Sequence, residues 1–296
     1  MGMNLNSPSF RRLIVCADDY ALSPAVSLGI RQLAEQGRIS ATGAMTCMPS
    51  WAAEALSLAE LSRSLDDRLE VGLHLTLTDQ EPLTEMSVLA PEGRMPTVGT
   101  LIKAAVVGML PLSEIALELN AQLTAFEARF GRLPDFIDGH QHVHLLPGIR
   151  QVVFGLFHHR LDPAQCWLRD CSERPLTLLR RGGAVKAAVV MTLAKGFTKT
   201  ARARGITVNR GFTGFYDPAS APLGDRLASM LRGVRDGSLL MIHPGHVDAT
   251  LEAVDSLTGP RQVEWDFLSS DAWPKLLEQQ GLTLARKGDL FSSPSP

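Results

Sequence analysis

Cysteine pairs, basic runs and long apolar stretches are all scarce in this chain of 296 residues. Its four cysteines (Cys16, Cys47, Cys166 and Cys171) show no CxxC spacing, which argues against a structural zinc built from thiolates. Two of them sit in strand-like runs, and we expect buried free thiols in a reducing, cytoplasmic compartment. The formal net charge is only −2, with no basic run, so the basic face that nucleic-acid binding requires is missing. The longest apolar runs, AAVVGML (Ala104–Leu110) and AAVVMTLA (Ala187–Ala194), are too short to span a bilayer. The first residues, MGMNLNSPSFRR, carry no apolar core of signal-peptide length. No Gly-rich phosphate fingerprint follows the first strand-like run, which argues against a dinucleotide fold.

What is present is apolar mass in short pieces. Hydrophobic residues make up 45% of the chain, enough for a large core. Strand-like segments fall at Leu13–Ala17, Thr42–Met48, Glu70–Leu77, Asp135–Asp138, Gln165–Arg169, Ile206–Asn209, Ser238–Ile242 and Thr283–Ala285. Amphipathic helices lie between most of them. Ser23 caps a helix from Pro24 to about Gln36, with Gly37 as its stop. Ile115, Leu119, Leu123 and Phe126 share one face of a helix over Leu112–Phe130, which Gly131 ends. Further helical patterns cover Gly148–Leu161, Pro175–Arg181, Lys186–Arg204, Ala221–Asp236 and Glu264–Gln280. Alternating strand and helix implies a parallel sheet. About eight such steps predict a single α/β domain over residues 1–296, a TIM-barrel-like (β/α) barrel, closed or incomplete. An open doubly wound sheet is the alternative. Residues Thr78–Gly99, rich in Pro, Gly, Thr and acids, read as a long surface loop, and the tail LFSSPSP as frayed.

The polar residues gather where such a barrel would use them. Asp18 and Asp19 follow the first strand, His74 interrupts the third, and His140, His142 and His144 follow the fourth. His243 and His246 follow the seventh. The carboxyl ends of barrel strands form the active face. Adjacent carboxylates repel and need a compensating charge, which a metal ion would supply. Read at strand spacing, the three histidines of HQHVH point one way, as metal ligands or proton-handling groups. One carboxylate with two imidazoles makes an open metal site. A spare carboxylate can act as general base on a water and a histidine as general acid on the leaving group. These parts read as metal-assisted hydrolysis.

The stretches LIVCADDYALSPAV, VGLHLTLTD, DFIDGHQHVHLLPGI and MIHPGH resemble, in order, the motifs of the YdjC-like carbohydrate deacetylases. The resemblance implies a β/α barrel, one divalent metal (magnesium or zinc), a homodimer, and removal of an acetyl group from an N-acetylated sugar. By motif position it implies Asp19, His74 and His140 as metal ligands, Asp18 as general base and His243 as general acid. His142 and His144 would support the site or touch substrate, and Arg169 would orient a carboxylate or a sugar oxygen. Two departures stand out: Tyr20-Ala21 where many relatives have Phe-Gly, and His140-Gln141-His142 where many have three consecutive histidines. Two other readings remain open: hydrolysis of another amide or a phosphoester, and a non-catalytic barrel that binds sugar or metal.

Overall fold

A computed structural model describes residues 10–172, 190, 192, 194–217 and 221–292. The first strand, β1 (Arg11–Tyr20), is followed by α1 (Pro24–Glu35), β2 (Ala41–Ala44), α2 (Trp51–Leu65) and β3 (Glu70–Leu75). After a long loop come α3 (Val98–Val106), α4 (Leu112–Phe130) and β4 (Phe136–Gly139), then a short 3-10 segment His140–Leu145 and α5 (Ile149–His159). The chain continues through β5 (Trp167–Leu168), α6 (Phe197–Ala203), β6 (Gly211–Thr213), α7 (Leu223–Leu231) and β7 (Ser238–Ile242). It ends in α8 (Ala249–Val254), α9 (Gly259–Ser269), α10 (Ala272–Gln279) and β8 (Leu282–Leu284).

Every strand pairing in the sheet is parallel, in the order β5-β4-β3-β2-β1-β7-β6, with β8 added beside β1. The two ends of this path meet at a single bridge, Leu168 to Val208. The result is a curled, incomplete barrel with helices around it. β8 and β2 share one edge of β1, because the Leu13 carbonyl accepts from Ala285 N and the Val15 carbonyl from Ser40 N. The apolar run of β1 is fully buried, which is why the strand is central and reads as continuous hydrophobicity. Phe136 and Trp167 stack at 4.4 Å between ring centroids. Their packing needs Gly72 beneath: a Cβ there would lie 2.3 Å from the Phe136 ring.

Helix signals in the sequence correspond closely to the structure where caps are strong. Ser23 accepts from Val26 N at the head of α1, and Gly131, at φ +87°, closes α4 in the left-handed conformation. Other boundaries move. The sixth strand is Gly211–Thr213, and residues 206–209 contribute only the bridge at Val208. The helix expected over Glu264–Gln280 is two, α9 and α10, broken by Ser270 with extended backbone. Helices α2 and α3 had no place in the sequence reading. The helix expected over Pro175–Arg181, the start of that over Lys186–Arg204, and the end of the C-terminal tail lie outside the described residues. All four cysteines are buried and free. Among the described residues no helix is long and apolar enough to cross a membrane.

Candidate active site

Asp18 and Asp19 lie inside β1, not after it. The pairing of β1 with β2 slips between Ala17↔Thr42 and Tyr20↔Ala44, so three steps on one strand match two on the other. The acids occupy this bulge, and Asp19 has a left-handed φ of +68°. In a regular strand consecutive side chains face opposite ways. The bulge breaks that alternation and lets both carboxylates reach the same cavity.

That cavity, of about 350 Å³, opens at the carboxyl ends of the strands. Asp18, Asp19, His74, His140, His142 and His243 line it, together with Asp79, Gln80 and Arg94 from the loop after β3. The loop closes on itself through Asp79 N to Pro96 O and Met95 N to Gln80 O. Glu118 of α4 pins it by accepting from Leu83 N and Thr84 N.

The two acids have different partners. Arg169 donates to both Asp18 oxygens at 2.6 Å and also pairs with Asp138 at 2.6 Å. Burial alone would raise the Asp18 pKa, but the Arg169 guanidinium, helped by His74, holds it well below the usual carboxylate range. Asp19 Oδ1 lies 2.9 Å from His140 Nδ1 and 3.3 Å from His74 Nε2. Its Oδ2 accepts from Arg261 at 2.6 Å. Burial again works to raise the pKa, and Arg261 with His140 outweighs it. Two buried guanidiniums therefore supply part of the compensating charge that the carboxylate pair demands.

His74 is braced from behind by Asp138, whose Oδ1 lies 2.7 Å from Nδ1. Burial disfavours protonation of this ring, but Asp138 and Asp18 more than offset it and raise its pKa to about 10. A cation taking Nε2 would displace that proton. His243 follows β7, where Ile242 pairs with Ala17, so the register carries it alongside Asp18. Burial pushes its imidazole below the ordinary pKa, against the pull of Asp19 and Asp18. Its backbone N–H donates to Glu264 at 2.5 Å.

Strand spacing does not carry past His140. β4 stops at Gly139, and Gln141 and His142 have φ of +50° and +63° within the 3-10 segment. The three histidines accordingly face three environments, which corrects the one-face expectation. His140 meets Asp19 and His74. His142 lies 3.4 Å from Cys171 Sγ and packs edge-on to Phe215. His144 is fully buried, with Nε2 at 3.0 Å from the Arg169 carbonyl. Burial lowers its pKa to about 4, so the neutral ring is a donor propping Arg169. His144 and Arg169 do not line the cavity. His246, the remaining histidine of MIHPGH, reaches Gln32 and Gln262 instead.

Asp19, His74 and His140 offer one oxygen and two nitrogens within 4.8 Å of one another. Two ligands each about 2.1 Å from a tetrahedral ion stand about 3.4 Å apart. The observed 2.9 and 3.3 Å need only slight widening. A carboxylate behind a ligating imidazole, as Asp138 is behind His74, fixes the ring and raises its basicity. The donor set thus fits a divalent cation. Sequence reasoning missed Asp138, Arg261 and Glu264. Asp138 had a local signal, an acid inside the apolar strand FID two residues before His140. The two on α9 had none.

The family model described as YdjC-like protein matches residues 12–279. This chain belongs to the YdjC-like family. Among its YdjC-like relatives, the chitooligosaccharide deacetylase of Klebsiella pneumoniae (strain 342) is 31% identical over 281 residues, 95% of this chain and 99% of that one. The enzyme of the same name from Enterobacter sp. (strain 638) is 32% identical, covering 94% and 98%. That of Escherichia fergusonii is 42% identical over 145 residues, a match that spans about half of each chain, 48% and 54%. Among solved structures, a candidate cellobiose-phosphate cleavage protein from Enterococcus faecalis V583 superposes with a TM-score of 0.69 at 23% identity, over 94% of this chain and 97% of that one. That superposition shows that the two chains share a fold.

Proposed function

We propose that this YdjC-like protein is a metal-dependent carbohydrate N-deacetylase, hydrolysing the acetamide of an N-acetylated amino sugar. The observation that carries this reading is the convergence of three cation-type donors, a separately clamped carboxylate and a histidine on one cavity. Near-full-length similarity to proteins named chitooligosaccharide deacetylases supports it. A divalent metal held by Asp19, His74 and His140 would polarise the acyl oxygen and acidify a water.

The chain's own groups then have distinct tasks. Asp18 is kept ionised by Arg169, so it is in the proton-accepting form throughout the neutral range and takes the proton of the attacking water. His243, adjacent in register and held below its ordinary pKa by burial, takes up a proton during turnover, from the side of Asp18, and delivers it to the departing nitrogen as the carbon–nitrogen bond breaks. Acetate and a free amino sugar leave. Asp138 holds His74, and His144 holds Arg169. His142, Gln80 and Arg94 line the cavity where sugar hydroxyls would sit. Four unpaired buried thiols are in keeping with a cytoplasmic setting. Val106, Val107 and Met109, each at least 65% exposed at the α3–α4 turn, offer an apolar patch for the homodimer we include in this reading.

The test is acetate release from N-acetylglucosamine oligomers after chelation, and again after adding back zinc, magnesium or manganese. Metal-restored release is the expected result. Tight metal binding with no release from any N-acetyl sugar would remove the deacetylase reading. Light scattering of the same preparation checks the homodimer.

A further inference from the structure

Helix α9 reaches both halves of the site. Three residues apart on it, Arg261 holds Asp19 and Glu264 accepts from the backbone N–H of His243. The Arg261 carbonyl accepts from Gly245 N in the same HPGH turn. Arg261 is 3% exposed, and Asp255 anchors it, accepting from Nη2 at 2.7 Å and Nε at 3.1 Å. The two oxygens of Asp19 are therefore divided: Oδ1 faces His74 and His140, and Oδ2 faces the guanidinium.

We propose that Arg261 is a positioning residue that confines Asp19 to one-oxygen ligation and so keeps a coordination position open for the reactants. The inference rests on the metal-dependent reading above. A carboxylate can bind a divalent cation through one oxygen or both. With both engaged, Asp19 and the two histidines would fill all four places of a tetrahedral ion, whereas hydrolytic sites keep one open. A guanidinium at 2.6 Å from Oδ2 occupies the second oxygen before any cation arrives. It does so at a cost: a fixed positive charge beside the donors opposes cation binding. A device for tight metal binding would not place it there. The two roles give opposite signs. A plain strut for Asp19 strengthens metal binding, and its loss weakens it. A limiter of denticity weakens metal binding, and its loss leaves it equal or stronger while turnover falls.

Cobalt(II) reports both affinity and coordination. Full-length wild type, Arg261→Met and Arg261→Lys are titrated with Co(II), read by calorimetry and visible absorption, and assayed for acetate release. Arg261→Met is expected to bind Co(II) at least as tightly as wild type, with weaker visible bands as coordination rises. Its kcat should fall by about tenfold or more with KM within about twofold. Arg261→Lys, which keeps a cation on Oδ2, should retain the wild-type spectrum and recover part of the rate. If Arg261→Met fails to fold, Arg261→Met with Asp255→Asn removes the carboxylate left unpaired and answers the same question. Co(II) bound about tenfold more weakly with unchanged bands would overturn the proposal in favour of a strut. A wild type that binds Co(II) but releases no acetate would sink the deacetylase reading and leave the spectral comparison decisive. A wild type that binds no Co(II) would sink both.

Discussion

The two ends of the barrel both bury acids against bases, yet they are built to different rules. At the amino ends of the strands, Glu70 accepts from Trp167 Nε1 and Gly288 N. Beside it Asp135 is gripped by both Arg132 amino groups at 2.8 Å, accepts from Val71 N, and pairs with Lys287. No side-chain atom of these groups is a buried orphan among the described residues. At the carboxyl ends, buried atoms of Thr78, Gln141, His144, Arg169 and Arg261 lack a hydrogen-bond partner among the described residues. His74, His140, His142 and His243 converge on the cavity there. Buried charge by itself is thus a poor sign of chemistry, because a fully satisfied cluster holds a fold together. Carboxylates and imidazoles converging on one cavity are the better sign.

Substitutions at each end should separate these roles. The largest effect belongs to Asp18→Asn, which should lower kcat by about 10²–10⁴-fold while metal affinity changes little; wild-type turnover in that variant would end the general-base assignment. Next comes Asp138→Asn, which weakens the brace on His74. Isothermal titration should show metal affinity reduced by about 10-fold to 100-fold.

At the opposite end the readout is stability. Burial, with Asp135 nearby, raises the Glu70 pKa from 4.5 to about 8. The folded chain therefore keeps a proton that the unfolded chain loses near 4.5, so stability falls as pH rises from there to about 8. Glu70→Gln should flatten that slope in chemical denaturation, and the lost pH dependence is the readout, because its amide NH2 must face one of the two donors, Trp167 Nε1 or Gly288 N. Acetate release should not change. The smallest effect is Lys287→Gln. Its side chain is 41% exposed, so losing its pair with Asp135 should cost about 0–1 kcal/mol. A large activity loss in either of these two variants would erase the distinction between the ends.

Much of this arrangement was legible in the sequence, for reasons tied to particular residues. LIVCA and SLLMI read as strands because buried parallel strands are unbroken apolar runs. Leu112–Phe130 read as a helix because its apolar face recurs at helical spacing and glycine ends it. Helix α2 escaped notice because Ala, Leu and Ser populate it on all sides, and α3 because it follows directly on a proline-rich loop. The histidine run misled because its periodicity assumes extended backbone, and two left-handed residues turn His142 to another part of the cavity and His144 out of it. Arg261 and Glu264 were invisible for a different reason. Arg261 reaches Asp19 across 242 residues of chain and Glu264 reaches His243 across 21, and no local pattern marks either side chain as destined for burial.

The left-handed backbone at Asp19 also limits how this centre can change. Asp, Asn and Gly tolerate that conformation far better than longer or branched residues. A glutamate or a histidine at position 19 would have to bear the steric penalty before it could serve as a donor. The short carboxylate is therefore the fixed member of the trio. For the metal site proposed above, redesign toward a softer or larger ion would have to proceed through positions 74 and 140, whose backbones lie in or beside ordinary strands.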